Sequence, residues 1–182
     1  MLAVLALAYL MFFLRYQPLT ATGGTSWVDP AYAARVGAFT SPRGEDFTQY
    51  NVHFTDGERL TFMFTLTNTG GLPVTVENVR LDAGCDNCTY PLQHRSTAML
   101  AHGPNENDPA HARDLQPFTL AADDYRNIVI TAKFVNCKDL GVGDVVTFSS
   151  VRVRLRSGMV AHDTTLPLGY NLAVSRKDAC PA

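Results

Sequence analysis

The chain has 182 residues, of which 46% are hydrophobic and 18% are charged, and its formal net charge is −2. A chain of this length suits one domain with attached segments, and its hydrophobic content excludes a largely disordered protein. The small acidic charge excludes nucleic acid as the main partner, because no excess of basic residues is present to displace counterions from phosphates.

An unbroken apolar run, MLAVLALAYLMFFL, covers Met1–Leu14 and ends at Arg15. As a helix it extends roughly 21 Å, which is less than the ~30 Å hydrocarbon core of a bilayer. A signal peptide is disfavoured because the run has no basic segment before it and no small-residue cleavage site close behind it. The sequence therefore predicts a single transmembrane anchor over residues 1–16, longer in the natural chain if this start is truncated. A buried core helix is the alternative.

Residues 17–47 have a different character, with Gly23-Gly24 and with prolines at positions 18, 30 and 42. Glycine and proline at this density are typical of connecting segments. We expect a linker between the anchor and a folded domain.

From position 60 onward the hydrophobic period is two. In the segment Leu60–Leu66, apolar residues alternate with Thr61, Met63 and Thr65, which is typical of a half-buried strand. Further strands are predicted over Val74–Leu81, Phe118–Leu120, Ile128–Phe134, Val151–Leu155 and Leu166–Val174.

About seven short strands without a long amphipathic helix predict an all-β fold, an immunoglobulin-like Greek-key sandwich. We place this sandwich over residues 48–182. Residues 82–115 are polar, and we expect them to form a long insertion that contacts a partner, because binding segments concentrate on loops.

The stretch DGERLTFMFTLTNTGGLPVTVENVRL, Asp56–Leu81, resembles two strands of bacterial extracytoplasmic immunoglobulin-like domains. Two later segments, FVNC at Phe134–Cys137 and LPLGYNLAV at Leu166–Val174, resemble uncharacterised membrane-anchored bacterial proteins of the same kind. The resemblance implies a fold and a location at the cell membrane, with the sandwich in the periplasm or outside the cell. It implies no catalytic residue.

The four cysteines are Cys85, Cys88, Cys137 and Cys180. In an exported chain an even number of cysteines indicates disulfides, and four cysteines allow three connectivities. The strand directions place all four at one end of the sandwich, and we favour Cys85–Cys88 with Cys137–Cys180. A zinc site or a redox CxxC motif fits the spacing less well.

The predicted insertion carries candidate contact residues, namely His94, Asn105 and Asp108. It also holds His94, Met99, His102 and His111, and imidazole together with thioether is a ligand set for copper. Histidines in polar loops are more often simply solvated, so metal is an alternative and no cofactor is expected.

Arg152, Arg154 and Arg156 share one face of a predicted strand. The row is either an ordinary solvated face or a docking surface for an acidic partner. The sequence contains no G-x-S-x-G motif, no H-E-x-x-H motif and no phosphate-binding loop, so we expect no enzymatic activity.

These features predict a non-catalytic accessory or scaffold subunit. Its helix would contact the lipid bilayer and an integral membrane protein complex, respiratory or photosynthetic, and its sandwich would cover the outer face of that complex. One alternative is a copper-binding delivery protein for a membrane oxidase. Another is a free-standing adhesion or ligand-binding domain.

Overall fold

The computed structural model describes residues 2–28, 39–42, 48–53, 57–82, 92–135, 138 and 140–176. In this part of the chain one α-helix precedes eleven strands. The elements are α1 Leu2–Arg15, β1 Leu19–Val28, β2 Phe39–Pro42, β3 Thr48–His53, β4 Arg59–Asn68, β5 Val74–Leu81, β6 Leu92–Met99, β7 Arg113–Asp114, β8 Phe118–Leu120, β9 Tyr125–Phe134, β10 Val145–Ser157 and β11 Val160–Ser175.

The strands form two sheets that pack face to face as a sandwich. The five-stranded sheet has the order β1-β4-β9-β6-β7, and the six-stranded sheet has the order β2-β3-β11-β10-β5-β8. Neighbouring strands are antiparallel, apart from the parallel pair of β3 and β11. The predicted all-β sandwich is confirmed at this level.

Alternating side chains of both sheets fill the core, as the period of two requires. Phe62 and Phe64 of β4 are fully buried and belong to the same apolar cluster as Tyr170 of β11. The Tyr170 hydroxyl crosses between the sheets and donates a hydrogen bond of 3.1 Å to the carbonyl oxygen of Met63. One buried polar contact therefore links β4 to β11.

Two segments differ from their sequence-based assignments. The predicted linker over residues 17–47 contains β1 and β2, and the predicted insertion over residues 82–115 contains β6 and β7. The outward positions of β6 are polar or small, including Gln93 and Arg95, so only one side of the strand provides an apolar signal. Glycine and threonine in β1 hide that strand in the same way.

Met63 alternates with threonines in the sequence, which places it on the outer face of β4. The structure nevertheless buries it in a second small apolar cluster with Leu100 and Val129. Ala98 and Ala112 pack against this cluster, so the chain after β6 folds over the outer face of the five-stranded sheet. The segment between β6 and β8 is therefore attached along its length.

Helix α1 covers most of the predicted anchor. Among the described residues, however, no helix has the length and hydropathy needed to cross a membrane.

Candidate functional site

Helix α1 is attached to one end of the sandwich at the turn between β4 and β5. The Tyr16 hydroxyl accepts a 3.0 Å hydrogen bond from the backbone N–H of Leu72. The carbonyl oxygen of Pro18 accepts from both the backbone N–H and the hydroxyl of Thr69, at 2.7 and 2.9 Å. These bonds fix the direction in which the chain leaves the helix.

Two glycines allow the close approach of the helix. A Cβ atom at Gly70 would lie 2.2 Å from the Tyr16 hydroxyl, and one at Gly158 would lie 2.5 Å from the Tyr9 hydroxyl. Gly158 also has a φ of +59°, which favours glycine. The helix therefore packs across two tips of the sandwich, the β4–β5 turn and the β10–β11 hairpin.

Buried Asn68 shapes the first of these tips. Its side-chain amide donates to the carbonyl oxygens of Leu72 and Ala121 at 2.9 Å, and its side-chain oxygen accepts from the N–H of Gly70 at 3.0 Å. A single side chain thus holds the turn on which Tyr16 rests.

The remaining surface of α1 is apolar and open. Its exposed large side chains have exposed fractions between 42% and 69%, and they are Val4, Leu5, Leu7, Tyr9, Leu10, Met11 and Phe12. Two large apolar side chains at the tips under the helix are also exposed, Leu72 at 42% and Met159 at 87%. Together these residues form what we call the apolar end of the molecule.

The predicted arginine row lies on β10, on the outer face of the six-stranded sheet, where the side chains of Arg154 and Arg156 are about half exposed. Both guanidinium groups contact Glu77 of β5, Arg154 at 3.2 Å and Arg156 more closely. The hydrogen bond from Arg156 lowers the pKa of the Glu77 carboxyl, and Arg154 acts in the same direction. Arg154 also lies 3.7 Å from Asp163.

Arg152 is held differently, beside the carboxylate of Asp82. Its Nη2 lies 3.4 Å from Oδ1 of Asp82, and the Thr165 hydroxyl donates to Oδ2 at 3.2 Å. Each arginine of the predicted row therefore has an acidic neighbour on an adjacent strand or at its end.

A fourth arginine, Arg80, belongs to this face and was missed by the sequence analysis. It lies on β5 directly opposite Arg152. Arg80, Arg152 and Arg154 line a cleft of about 230 Å³ together with Asn78 and Asp163. The register of β5 against β10 brings these residues together, and no single-strand pattern contains that information.

The segment after β6 holds a cluster around His102. Its two ring nitrogens lie between carboxylates, Nδ1 at 3.3 Å from Glu106 and Nε2 at 3.0 Å from Asp124. The hydrogen bond with His102 lowers the pKa of the Asp124 carboxyl. The Tyr125 hydroxyl donates to Glu106 at 3.3 Å, and the charge of Glu106 raises the pKa of this phenol. The cluster fastens the segment to the start of β9.

Asn105 and Asp108, predicted as partner contacts, lie in the same segment and have structural roles. The Asp108 side chain caps a short 3₁₀ turn, Pro109–His111, by accepting from the N–H of Ala110 at 3.0 Å. The carbonyl oxygen of Asn105 accepts from the N–H of Asp108 at 3.1 Å. Both residues are exposed, and their contact with a partner stays a prediction.

His94 lies at the other end of β6 and serves the edge of β5. Its Nδ1 accepts from the N–H of Leu81 at 3.5 Å, and its Nε2 lies 3.3 Å from the Thr97 hydroxyl. That hydroxyl donates to the carbonyl oxygen of Val79 at 2.5 Å. Burial, helped by the charge of Arg80, lowers the pKa of His94, which agrees with a neutral ring in this arrangement.

The structure brings two of the four proposed copper ligands to one cavity and places the other two elsewhere. His94 faces β5, and Met99 packs against the main core. His102 and His111 line one cavity of about 200 Å³, but His102 is held by Glu106 and Asp124 and His111 by Asp108 at 2.9 Å. In the part of the chain that the structure describes, no group of three or more histidine, cysteine, aspartate or glutamate residues is arranged to hold a metal ion.

Cys85, Cys88, Cys137 and Cys180 lie outside the described residues. Nearby described residues are in contact, because the Arg176 guanidinium donates to the carbonyl oxygen of Leu140. The disulfide pairing stays a prediction.

No protein-family model and no curated protein sequence matches the chain. Among solved structures it is similar to the cupredoxin domain of amoB from Nitrosocaldus yellowstonii, with 11% identity and a TM-score of 0.34 over 68% of this chain and 61% of that one. It is similar to a family 123 glycoside hydrolase from Clostridium perfringens, with 12% identity and a TM-score of 0.39 over 87% of this chain and 27% of that one.

The PapD-like domain 7 of human CEP192 is a third similar structure, with 11% identity and a TM-score of 0.32 over 90% of both chains. The chain thus spans 61% and 27% of the first two similar proteins. Likenesses this distant carry no argument about function, and the contacts within the chain itself must supply it.

Proposed function

We propose that the chain is a non-catalytic accessory or scaffold subunit of a larger membrane protein complex. Helix α1 packs beside apolar helices of that complex at the cell membrane, and an immunoglobulin-like sandwich covers its extracytoplasmic face. A respiratory or photosynthetic complex is a suitable host.

The apolar end of the molecule is the observation that carries this proposal. Val4, Leu5 and Leu7 are 58% to 69% exposed, so most of their apolar surface lies open. Covering such surface is worth about 25 cal/mol per Å², and contiguous exposed apolar patches mark contacts with proteins or membranes. A partner that covers this surface with its own apolar groups would remove the free-energy cost of exposing it to water.

The composition of α1 favours helices as that partner. Ala6 and Ala8 are exposed among larger side chains, and small residues let neighbouring helices approach closely in a membrane. A cavity of about 610 Å³ opens between Ala8, Met11 and the turn at Gly70. A large apolar side chain from a second helix would fit this space.

Exposed residues at the tips of the sandwich support placing the helix end of the molecule against the complex. Met159 and Leu72 are exposed at the end of the sandwich that carries the helix, and Val142 and Val145 are exposed at the opposite end. In the described part of the chain, helix α1 lies at the first of these ends, where it contacts the β4–β5 turn and the β10–β11 hairpin. We place that end against the membrane complex.

Purification of the tagged native chain in mild detergent, followed by mass spectrometry of bound proteins, tests the proposal. We expect stoichiometric recovery of a defined membrane complex. The triple variant Val4→Ser, Leu7→Ser and Met11→Ser should abolish this recovery, because it makes three exposed helix positions polar. The double variant Val142→Ser and Val145→Ser changes equally exposed apolar residues elsewhere and should retain it.

Recovery of the wild-type chain alone, at monomer size, would overturn the proposal. It would favour the alternative of a free-standing adhesion or ligand-binding domain. Equal loss of the complex in both variants would also contradict the assigned role of α1.

A further inference from the structure

The outer face of the six-stranded sheet carries an arrangement of charge that the fold does not need. Arg80 of β5 and Arg152 of β10 are direct cross-strand partners. Like charges in such positions destabilise a sheet, by up to about 1 kcal/mol. A second function of the pair would account for its presence.

The described residues that line the cleft on this face include three arginines and one carboxylate. In the part of the chain that the structure describes, the face has four arginines, Arg80, Arg152, Arg154 and Arg156, and the carboxylates that contact them belong to Glu77, Asp82 and Asp163. These contacts engage the three arginines of β10. Arg80 is exposed and forms no ion pair with any residue that the structure describes. Arg80 is therefore the arginine of this face that no described carboxylate contacts.

Arg80 lies in a concave part of this face. Arg80, Arg152 and Arg154 line the cleft of about 230 Å³, with the Asn78 amide as a further donor group. Guanidinium groups present paired N–H donors in a fixed fork that matches the two oxygens of a carboxylate. The guanidinium contacts with these carboxylates are long, 3.4 Å from Arg152 to Asp82 and 3.7 Å from Arg154 to Asp163, compared with about 2.7–2.9 Å for a short charged hydrogen bond. An incoming carboxylate can therefore share these donors.

We propose that this cleft, which we call the arginine cleft, binds the carboxylate of an aspartate or glutamate side chain from an acidic segment of a protein partner. A carboxylate matches the positive charge of a cleft lined by three arginines and one aspartate, and the sheet face accepts an extended segment lying across the strands. The identity of the bound group as part of a partner rests on the proposed accessory function. The chemistry of the cleft stands without it.

Nuclear magnetic resonance of the arginine Nε–Hε groups tests the proposal on the full chain. The probe is a hexapeptide of alternating glutamate and glycine with blocked ends. We expect saturable shifts of the arginine signals of the cleft. Arg80→Gln should weaken the affinity about tenfold or more, as the loss of a charged hydrogen bond predicts. Arg80→Lys should weaken it less.

Arg59→Gln is the matched control, because Arg59 is also exposed on a strand but belongs to the five-stranded sheet. It should leave the peptide affinity within about twofold, since it removes the same charge from a distant place. A similar loss of peptide affinity in both variants would show that net charge alone causes the loss, and it would overturn the proposal.

Two further arms separate the sources of an oxyanion. Inorganic phosphate that shifts the same signals at lower concentration than the peptide would overturn the assignment to an acidic protein segment. Shifts that appear only with vesicles of phosphatidylcholine and phosphatidylserine would overturn it in favour of a lipid surface. If the peptide shifts none of the arginine signals, the proposal is wrong.

The failure of this proposal can be distinguished from the failure of the proposed accessory function. If the wild-type chain purifies with a membrane complex while the peptide leaves the arginine signals unchanged, only the cleft proposal fails. If the chain purifies alone but binds the peptide in an Arg80-dependent way, only the accessory function fails.

Discussion

Arg80 and Arg152 face each other across β5 and β10, so that two guanidinium groups occupy a position where most sheets place an opposite charge or a neutral pair. Their juxtaposition makes a prediction about stability that is independent of any ligand. A residue retained for binding is often not the residue that would be best for the fold.

Arg80→Thr should raise the free energy of unfolding by about 0.5 kcal/mol, because it removes the like-charge pair and introduces a good strand former. The gain should shrink in high salt, which screens exposed charges. Urea denaturation at low and high salt measures both effects.

Arg113→Thr is the control for this measurement. Arg113 is exposed on β7 and lies opposite Met99, so its replacement relieves no repulsion. A larger loss of stability in Arg80→Thr than in Arg113→Thr would show that the fold itself uses the Arg80 charge.

The attachment of α1 can be tested at two adjacent glycines. Gly70→Ala should lower the free energy of unfolding by about 1–3 kcal/mol, because the added Cβ overlaps the Tyr16 ring and Pro18. Gly71→Ala should be nearly neutral, since a Cβ there meets no atom within 4 Å. Thermal unfolding of the two variants, followed by circular dichroism, compares them directly. Equal effects would show that the helix does not rest on Gly70.

The neutral state of His94 predicts a pH dependence of stability. Burial lowers the pKa of His94 in the folded chain, so the unfolded chain binds the proton more readily. The contribution of neutral His94 to the free energy of unfolding is therefore complete above the unfolded pKa of about 6.5. It falls as the pH decreases below that value towards the folded pKa. The free energy of unfolding, measured by urea denaturation between pH 8 and pH 5, should decrease through this window.

His94→Gln should flatten that decrease, because the variant has no proton to gain at this position. His111→Gln is the control, since His111 is exposed and its ring pairs with Asp108 at the surface. If His94→Gln keeps the full pH dependence, another group is responsible for it.

The cysteine pairing is a separate prediction. The contact of Arg176 with Leu140 joins a residue four positions before Cys180 to a residue three positions after Cys137. Peptide mapping of the unreduced, alkylated protein by mass spectrometry should find a peptide that links these two cysteines. Its reduction should cost about 2–4 kcal/mol of stability. A linkage from Cys137 to Cys85 or Cys88 would contradict the pairing.

The strong strands could be predicted because a half-buried strand shows its period in its own residues. The predicted bounds of Val74–Leu81 and Phe118–Leu120 agree with β5 and β8. Strand β6 was missed because the polar residues of its outer side resemble those of a loop. Its neighbours β9 and β7 determine its structure, and they are distant in sequence.

The residues of the candidate site also divide into those that the sequence of one strand reveals and those that it does not. The row of Arg152, Arg154 and Arg156 is visible within one strand. Its fourth member, Arg80, is not visible, because it joins the row only through the register between strands. Closeness in sequence also grouped His94 with His102, whereas His94 lies near the start of β6 and His102 follows its end.

The support that β6 gives to β5 also bears on self-association. The later half of β5 lies beyond its pairing with β8, which ends at Val76, and it would otherwise offer free backbone groups to a strand of another molecule. His94 and Thr97 occupy the N–H of Leu81 and the carbonyl oxygen of Val79. Protonation of one imidazole would therefore uncover part of a sheet edge, and mildly acidic conditions should promote oligomers joined through β5 before the sandwich as a whole unfolds.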